Sequence, residues 1–145
     1  MRLLIQRVSR AAVRVNGGEP RAIERGLCVF VGVGPDDNEA LARRMAAKAA
    51  NLRIFPNEQG KFDRSVLDIG GGALVVSQFT LYGDCRKGRR PDFTGSMPPE
   101  RAEPLYAAFA AELASLGVAV KTGEFGAKME VDIINDGPVT LWLDS

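Results

Sequence analysis

Leu27-Cys28-Val29-Phe30-Val31-Gly32-Val33 is the stretch that decides the fold. Every residue in it is apolar or glycine, and Val29, Val31 and Val33 are β-branched. A strand with one wet face alternates apolar and polar residues. An unbroken run of this length reads instead as a strand covered on both faces, at the centre of a sheet. Upstream, residues 2–8 and 11–15 read as strands, with Val13 and Val15 alternating against Arg14. Asn16-Gly17-Gly18 marks a tight turn after them. Downstream, Asp36 and Asp37 offer N-caps for a helix to about residue 51. Leu41, Met45, Ala49 and Leu52 give that helix one apolar face.

Arg53–Phe55 reads as a short strand, and Pro56–Gly72 as turn-rich sequence ending in Gly70-Gly71-Gly72. Ala73–Leu81 is the next expected strand, and residues 82–97 form a polar loop long enough to be functional. Pro98 and Pro99 suit a helix start. Leu105, Phe109, Leu113 and Leu116 then form a buried stripe, stopped by Gly117. Three strands are expected near 118–122, 129–135 and 139–143. The order is α+β: a mixed or antiparallel sheet, curled and barrel-like, with two main helices. A chain of 145 residues fits one domain, 1–145. A core of that size needs no metal or disulfide staple, and no cofactor is expected.

Composition removes whole classes of chemistry. There is no histidine, so a Ser-His or Cys-His couple, a histidine base and a His-ligated zinc are excluded. Lys+Arg is 19 against 18 for Asp+Glu, so any nucleic-acid contact must be a local patch. Cys28 reads as a small buried hydrophobe and Cys85, beside Arg86 and Lys87, as a loop residue. A disulfide between them stays open. No span approaches the ~20 apolar residues of a membrane helix. Met1-Arg2-Leu3-Leu4-Ile5-Gln6-Arg7 turns polar too early for a signal-peptide core, so a cytoplasmic location is expected.

Four motifs remain. Gly32-Val33-Gly34 follows a strand and precedes a helix, as a dinucleotide loop does. Asp37 stands where the third glycine would be, and its charge would repel a pyrophosphate. Arg86-Lys87-Gly88-Arg89-Arg90 is the dense basic cluster, either a solvated loop or a contact to phosphates. Ser77-Gln78-Phe79-Thr80-Leu81 ends a strand with Ser77 and Phe79 expected on one face, Gln78 and Thr80 on the other. Asn135-Asp136-Gly137-Pro138-Val139-Thr140 reads as a turn between strands. A cis bond before Pro138 would turn two carbonyls to one side as acceptors for an ammonium group. Gly137 would let a ligand approach the backbone closely.

The last two motifs together resemble the signatures of D-aminoacyl-tRNA deacylases, and the resemblance runs the length of the chain. Met1–Val8, Lys87-Gly88-Arg89-Arg90-Pro91-Asp92-Phe93 and Leu105-Tyr106 are similar as well. The resemblance implies hydrolysis of the ester between a D-amino acid, or glycine mischarged on an alanine tRNA, and the tRNA. It implies chiral proofreading by a homodimer that rejects L-aminoacyl substrates. Gly137 and Pro138 of one chain would face Ser77, Gln78, Phe79 and Thr80 of the other, with Arg7 helping to fix the Gly-Pro segment. The implied partner is a charged tRNA, with Arg86, Lys87, Arg89 and Arg90 as candidate contacts, and neither DNA nor a membrane.

Two routes stay open for the chemistry. Thr80 could attack and form an acyl-enzyme, though no base is visible beside it. Alternatively, backbone N–H groups of Phe79 and Thr80 support the oxyanion while the ribose 2′-hydroxyl helps to activate water. Two other classes compete: a binding module that holds RNA or a small amine, and an esterase or amidase for small D-substrates.

Overall fold

The computed structural model describes residues 1–145. A six-stranded mixed sheet, curled into a nearly closed barrel, carries two helices, as the sequence implied. The unbroken apolar run becomes β3 (Gly26–Gly32), whose residues are buried except for Phe30. β3 lies between β1 (Arg2–Val15), antiparallel to it, and β6 (Gly72–Ser77), parallel to it. β7 (Ala119–Thr122) extends the parallel side beyond β6. β2 (Arg21–Ile23) and β8 (Met129–Asp144) both pair with β1. Arg21 closes much of the remaining gap by donating from its guanidinium to the carbonyls of Thr122 and Gly123.

α1 (Glu39–Ala50) and α2 (Pro99–Ser115) pack together over one face of the sheet. Between them and the strands lies the main core, centred on Leu3, Ile5, Val29, Phe55, Phe109 and Leu113. A smaller cluster, including Val8, Val13, Cys28 and Leu74, packs on the other face of the sheet.

Several expectations are corrected. The two N-terminal strands are one strand, because a bulge at Ser9 absorbs the break: Val8 pairs with Asn135 and Arg10 with Ile134. The last two expected strands are likewise one, β8, running through Gly137-Pro138. α1 is capped by Asn38, whose side chain accepts from the Leu41 N–H at 3.0 Å. Asp37 is engaged elsewhere, accepting from the Gly34 N–H at 2.6 Å and from the Met1 ammonium. The turn-rich stretch contains a small hairpin, β4 (Phe55–Pro56) with β5 (Phe62–Arg64). Leu116 lies outside the buried stripe of α2, at 37% exposure. Cys28 and Cys85 are both free thiols, one buried and one exposed.

Candidate functional site

β6 delivers the first motif. Its last residue, Ser77, pairs with Val31 of β3, and the Gln78 N–H donates to the Val31 carbonyl at 2.8 Å. There the chain leaves the sheet. Phe79–Tyr82 is a 3₁₀ turn, not the end of a strand, so the expected alternation of faces does not occur. The cause lies at the end of β3 and just beyond it. A Cβ on Gly34 would stand 2.5 Å from Tyr82 Oη, and one on Gly32 3.1 Å from the Gln78 carbonyl oxygen. Gly32-Val33-Gly34 is therefore a seat for the turn, which explains why it mimics a dinucleotide loop without being one. Arg2 holds Tyr82 from another side, its guanidinium carbon 4.3 Å from the ring centre while it donates to the Leu81 carbonyl at 3.0 Å. Burial, aided by the charge of Asp37, pushes the Tyr82 hydroxyl up to about 12.

Beside this turn is a cavity of about 530 Å³. Ser77, Gln78 and Phe79 line it, together with Phe125, Met129 and Val131 from the approach to β8 and from β8 itself. None of its lining residues carries an ionisable side chain. Phe79 is 57% exposed and meets Phe93 edge to face, with ring centres 5.1 Å apart. The Gln78 carboxamide donates to Thr80 Oγ. Thus the Thr80 oxygen already accepts a hydrogen bond, and no base adjoins it. The N–H groups of Phe79 and Thr80 open the 3₁₀ turn, where no acceptor exists within the turn. They donate none of the hydrogen bonds of the turns, loops and caps.

The second motif sits in β8 but outside its ladder. Asn135 pairs with Val8 and Thr140 with Gln6, so Asp136, Gly137, Pro138 and Val139 together oppose the single residue Arg7. Tertiary pairing continues the strand on both sides, so the segment is a wide bulge and not the expected turn. Gly137-Pro138 is a cis peptide, and both residues are exposed, while Val139 anchors the bulge in the core at 4% exposure. Arg7 is buried beneath it, at 6% exposure. Its guanidinium donates to the Ile54 carbonyl at 2.6 Å and to the Asp136 carbonyl at 3.2 Å, and pairs with the Asp136 carboxylate at 2.9 Å. The Asn135 carboxamide donates to the carbonyls of Arg7 at 3.0 Å and Val139 at 3.1 Å.

The structure therefore joins Ser77, Gln78 and Phe79 at one cavity, with Thr80 on the same turn, and joins Arg7 to the Gly137-Pro138 bulge. Within one chain it does not join the two groups. Gly137 lies six residues beyond Val131 on the same strand, on the order of 20 Å at the usual rise.

The basic loop also divides. The Arg86 guanidinium is bound to the Asp84 carboxylate through three contacts of 2.9, 3.0 and 2.6 Å. That bonding holds the Asp84 carboxyl down at about 2. Lys87, Arg89 and Arg90 are exposed and form no ion pair. Sequence reasoning missed Phe125, Met129 and Val131 as cavity walls. The alternation of Met129, Val131 and Ile133 marks an inward face, but nothing local separates a cavity wall from a core.

Residues 4–144 match the family model described as D-Tyr-tRNA(Tyr) deacylase. The chain belongs to this family. A D-aminoacyl-tRNA deacylase of Roseiflexus castenholzii is 60% identical over 145 residues, covering 100% of this chain and 92% of the relative. Another of that name, from Heliobacterium modesticaldum, is 60% identical over 144 residues, covering 99% and 96%. Among solved structures, one titled c-Myc DNA Unwinding Element Binding Protein aligns with a TM-score of 0.93 at 44% identity, over 100% of this chain and 99% of that one. A probable eukaryotic D-amino acid tRNA deacylase aligns with a TM-score of 0.86 at 18% identity, over 99% and 98%. The latter likeness is one of fold. Membership of the deacylase family makes this chain a hydrolase of aminoacyl-tRNA esters, in the service of translation quality control.

Proposed function

We propose that this deacylase-family chain removes D-amino acids from tRNA and does so through its backbone. The observation that carries the reading is the cavity at Ser77-Gln78-Phe79, which has no ionisable lining and opens beside two N–H groups free of turn and cap bonds. An aminoacyl ester is already an activated acyl group, so charge stabilisation is the main requirement. Water attacks the ester carbonyl carbon, and the N–H groups of Phe79 and Thr80 stabilise the resulting oxyanion. Such donors are each worth about 10²–10³ in rate. The attacking water gives up its proton by way of the ribose 2′-hydroxyl. The ester C–O bond then breaks, the 3′-oxygen takes a proton, and the free amino acid and tRNA leave.

Selection is assigned to the second motif, supplied by a second copy of the chain. Gly137 and Pro138 of that copy would close the cavity and accept from the substrate α-ammonium with their carbonyls. A D side chain then points outward, whereas an L side chain meets backbone. Glycine has nothing to exclude and passes. The separation of the two motifs within one chain supports the dimer, as do Phe79, Ile134 and Trp142, all at least half exposed. Lys87, Arg89 and Arg90 are the candidate tRNA contacts, with the net charge of +1 favouring a local grip over a long duplex such as DNA. No helix is long and apolar enough to cross a membrane. A charged-tRNA substrate fits action in the cytoplasm.

The deciding assay follows hydrolysis of matched D- and L-aminoacyl-tRNA, with free D-amino-acid esters as a third arm. The reading expects D-aminoacyl-tRNA to be cleaved at least about 100-fold faster than its L counterpart, roughly 3 kcal/mol of discrimination. Equal D and L rates would remove the selection mechanism. Equal rates on free esters would point instead to a small-substrate esterase. Binding without turnover would point to an RNA-holding module.

A further inference from the structure

The bulge that carries Gly137-Pro138 is held by two devices, and only Arg7 was anticipated. The other is Asn135. Its carboxamide nitrogen reaches the carbonyl oxygen of Arg7 at 3.0 Å and that of Val139 at 3.1 Å. Asn135 flanks the start of the bulge, and its two acceptors are Arg7, the residue opposite it, and Val139, its last member. Both partners are carbonyl oxygens, so only the N–H₂ end of the carboxamide satisfies them. The amide oxygen is then aimed at Gly137, and a Cβ built there would lie 3.1 Å from it. One side chain thus bridges the neck of the bulge and covers one face of Gly137.

We propose that Asn135 is a positioning residue for stereochemical selection, holding Gly137-Pro138 at the depth where an L side chain is excluded. The inference rests on the reading that this pair selects handedness. Ladder pairing alone does not fix the segment, since four residues oppose one and have no strand partners of their own. The Arg7 side chain reaches only the first of the four, Asp136. Asn135 ties the last of them, Val139, back to the Arg7 main chain, so the two clamps act at opposite ends. Neither Asn135 atom needs to touch substrate for this.

The test uses the full chain, with Asn135→Ala and Asn135→Asp beside Gly137→Ala. Asn135→Asp keeps the shape but cannot donate. Steady-state kcat/KM is measured separately on D- and L-aminoacyl-tRNA, and amide hydrogen exchange is followed over residues 136–140. Two ordinary hydrogen bonds correspond to roughly ten- to thirty-fold. Both Asn135 variants should therefore lower the D-to-L ratio by about that factor, with faster exchange confined to 136–140. Should either variant fold poorly, the other and its exchange pattern carry the same comparison. An unchanged ratio in both Asn135 variants, with Gly137→Ala lowering it, overturns the role of Asn135 alone. An unchanged ratio in Gly137→Ala overturns the selection reading itself, and the inference with it.

Discussion

Replacing Arg7 by Met keeps most of the buried volume and removes the charge and all the donors. The guanidinium makes three polar contacts: to the Ile54 carbonyl at 2.6 Å, the Asp136 carbonyl at 3.2 Å and the Asp136 carboxylate at 2.9 Å. They do not weigh equally. The Asp136 side chain is 40% exposed, so water replaces the lost ion pair and the cost there is about 0–1 kcal/mol. The Ile54 carbonyl faces a buried site, and stranding it costs about 1–3 kcal/mol. The sum is about 1–4 kcal/mol, which lowers Tm by roughly 3–15 °C in a domain of this size. The same loss frees Asp136 and so the entry to the Gly137-Pro138 bulge. Calorimetric unfolding, paired with D- and L-aminoacyl-tRNA kinetics, measures both consequences in one variant. Arg7→Met should melt early and lose D-over-L selectivity. Arg7→Lys should recover part of the stability, because an ammonium reaches one acceptor but not the fork. A Tm within 1 °C of the parent and an undiminished D-to-L ratio would refute the argument that Arg7 holds the bulge.

Other consequences are as direct. Burial pushes the Cys28 thiol up to about 12 from an ordinary 9.0. A raised acid pKa means that the neutral thiol's contribution is complete below pH 9 and is lost as the pH climbs toward 12. Denaturant midpoints should fall across that window, and less steeply in Cys28→Ala; identical slopes would contradict the burial argument. Iodoacetamide at pH 8 should label Cys85 alone. Neutralising Arg89 and Arg90 together should flatten the salt dependence of tRNA binding by about 1.4–1.8 logarithmic units per decade, as expected for two phosphate contacts. Arg86→Gln should change it little, since Asp84 already holds Arg86; equal effects would sink the distinction. Gly34→Ala drives a methyl to 2.5 Å from Tyr82 Oη. It should lower kcat by about ten- to a hundred-fold through displacement of the 3₁₀ turn, with KM nearly constant. An unchanged kcat would show that the seat is dispensable.

How far the sequence could be read depended on the range of the forces involved. β3 was legible because burial on both faces leaves an unbroken apolar run. α2 was legible because Pro98, Pro99 and Gly117 are local signals acting on their own neighbours. β1 and β8 looked broken because Ser9-Arg10 and Gly137-Pro138 punctuate them, and only pairing between distant segments carries each ladder across. Asp37 looked like a cap because nothing local reveals that the Met1 ammonium, 36 residues away in the chain, claims it; its bond to the Gly34 N–H completes that arrangement. Phe79 and Thr80 were assigned to the wrong element, a strand end where the chain makes a 3₁₀ turn. The strand ends at Ser77 because Tyr82 occupies the space over Gly32 and Gly34, a contact made between segments. The cavity walls at Phe125 and Met129 were invisible for the same reason. Arg7 entered through family resemblance, whereas its bond to Ile54, the strongest contact it makes, is a matter of tertiary structure alone.

The central claim is that the backbone of the Phe79–Thr80 turn, and not a side-chain nucleophile, carries the hydrolysis. Single-turnover deacylation of D-aminoacyl-tRNA by Thr80→Ala tests it most directly, with mass spectrometry of the wild-type reaction quenched during turnover. Thr80→Ala should keep its rate within about tenfold of the parent, the worth of one ordinary hydrogen bond, and no acyl-enzyme should be trapped. A loss of about 10⁴-fold or more, together with an acyl group found on Thr80 in the parent, would contradict it.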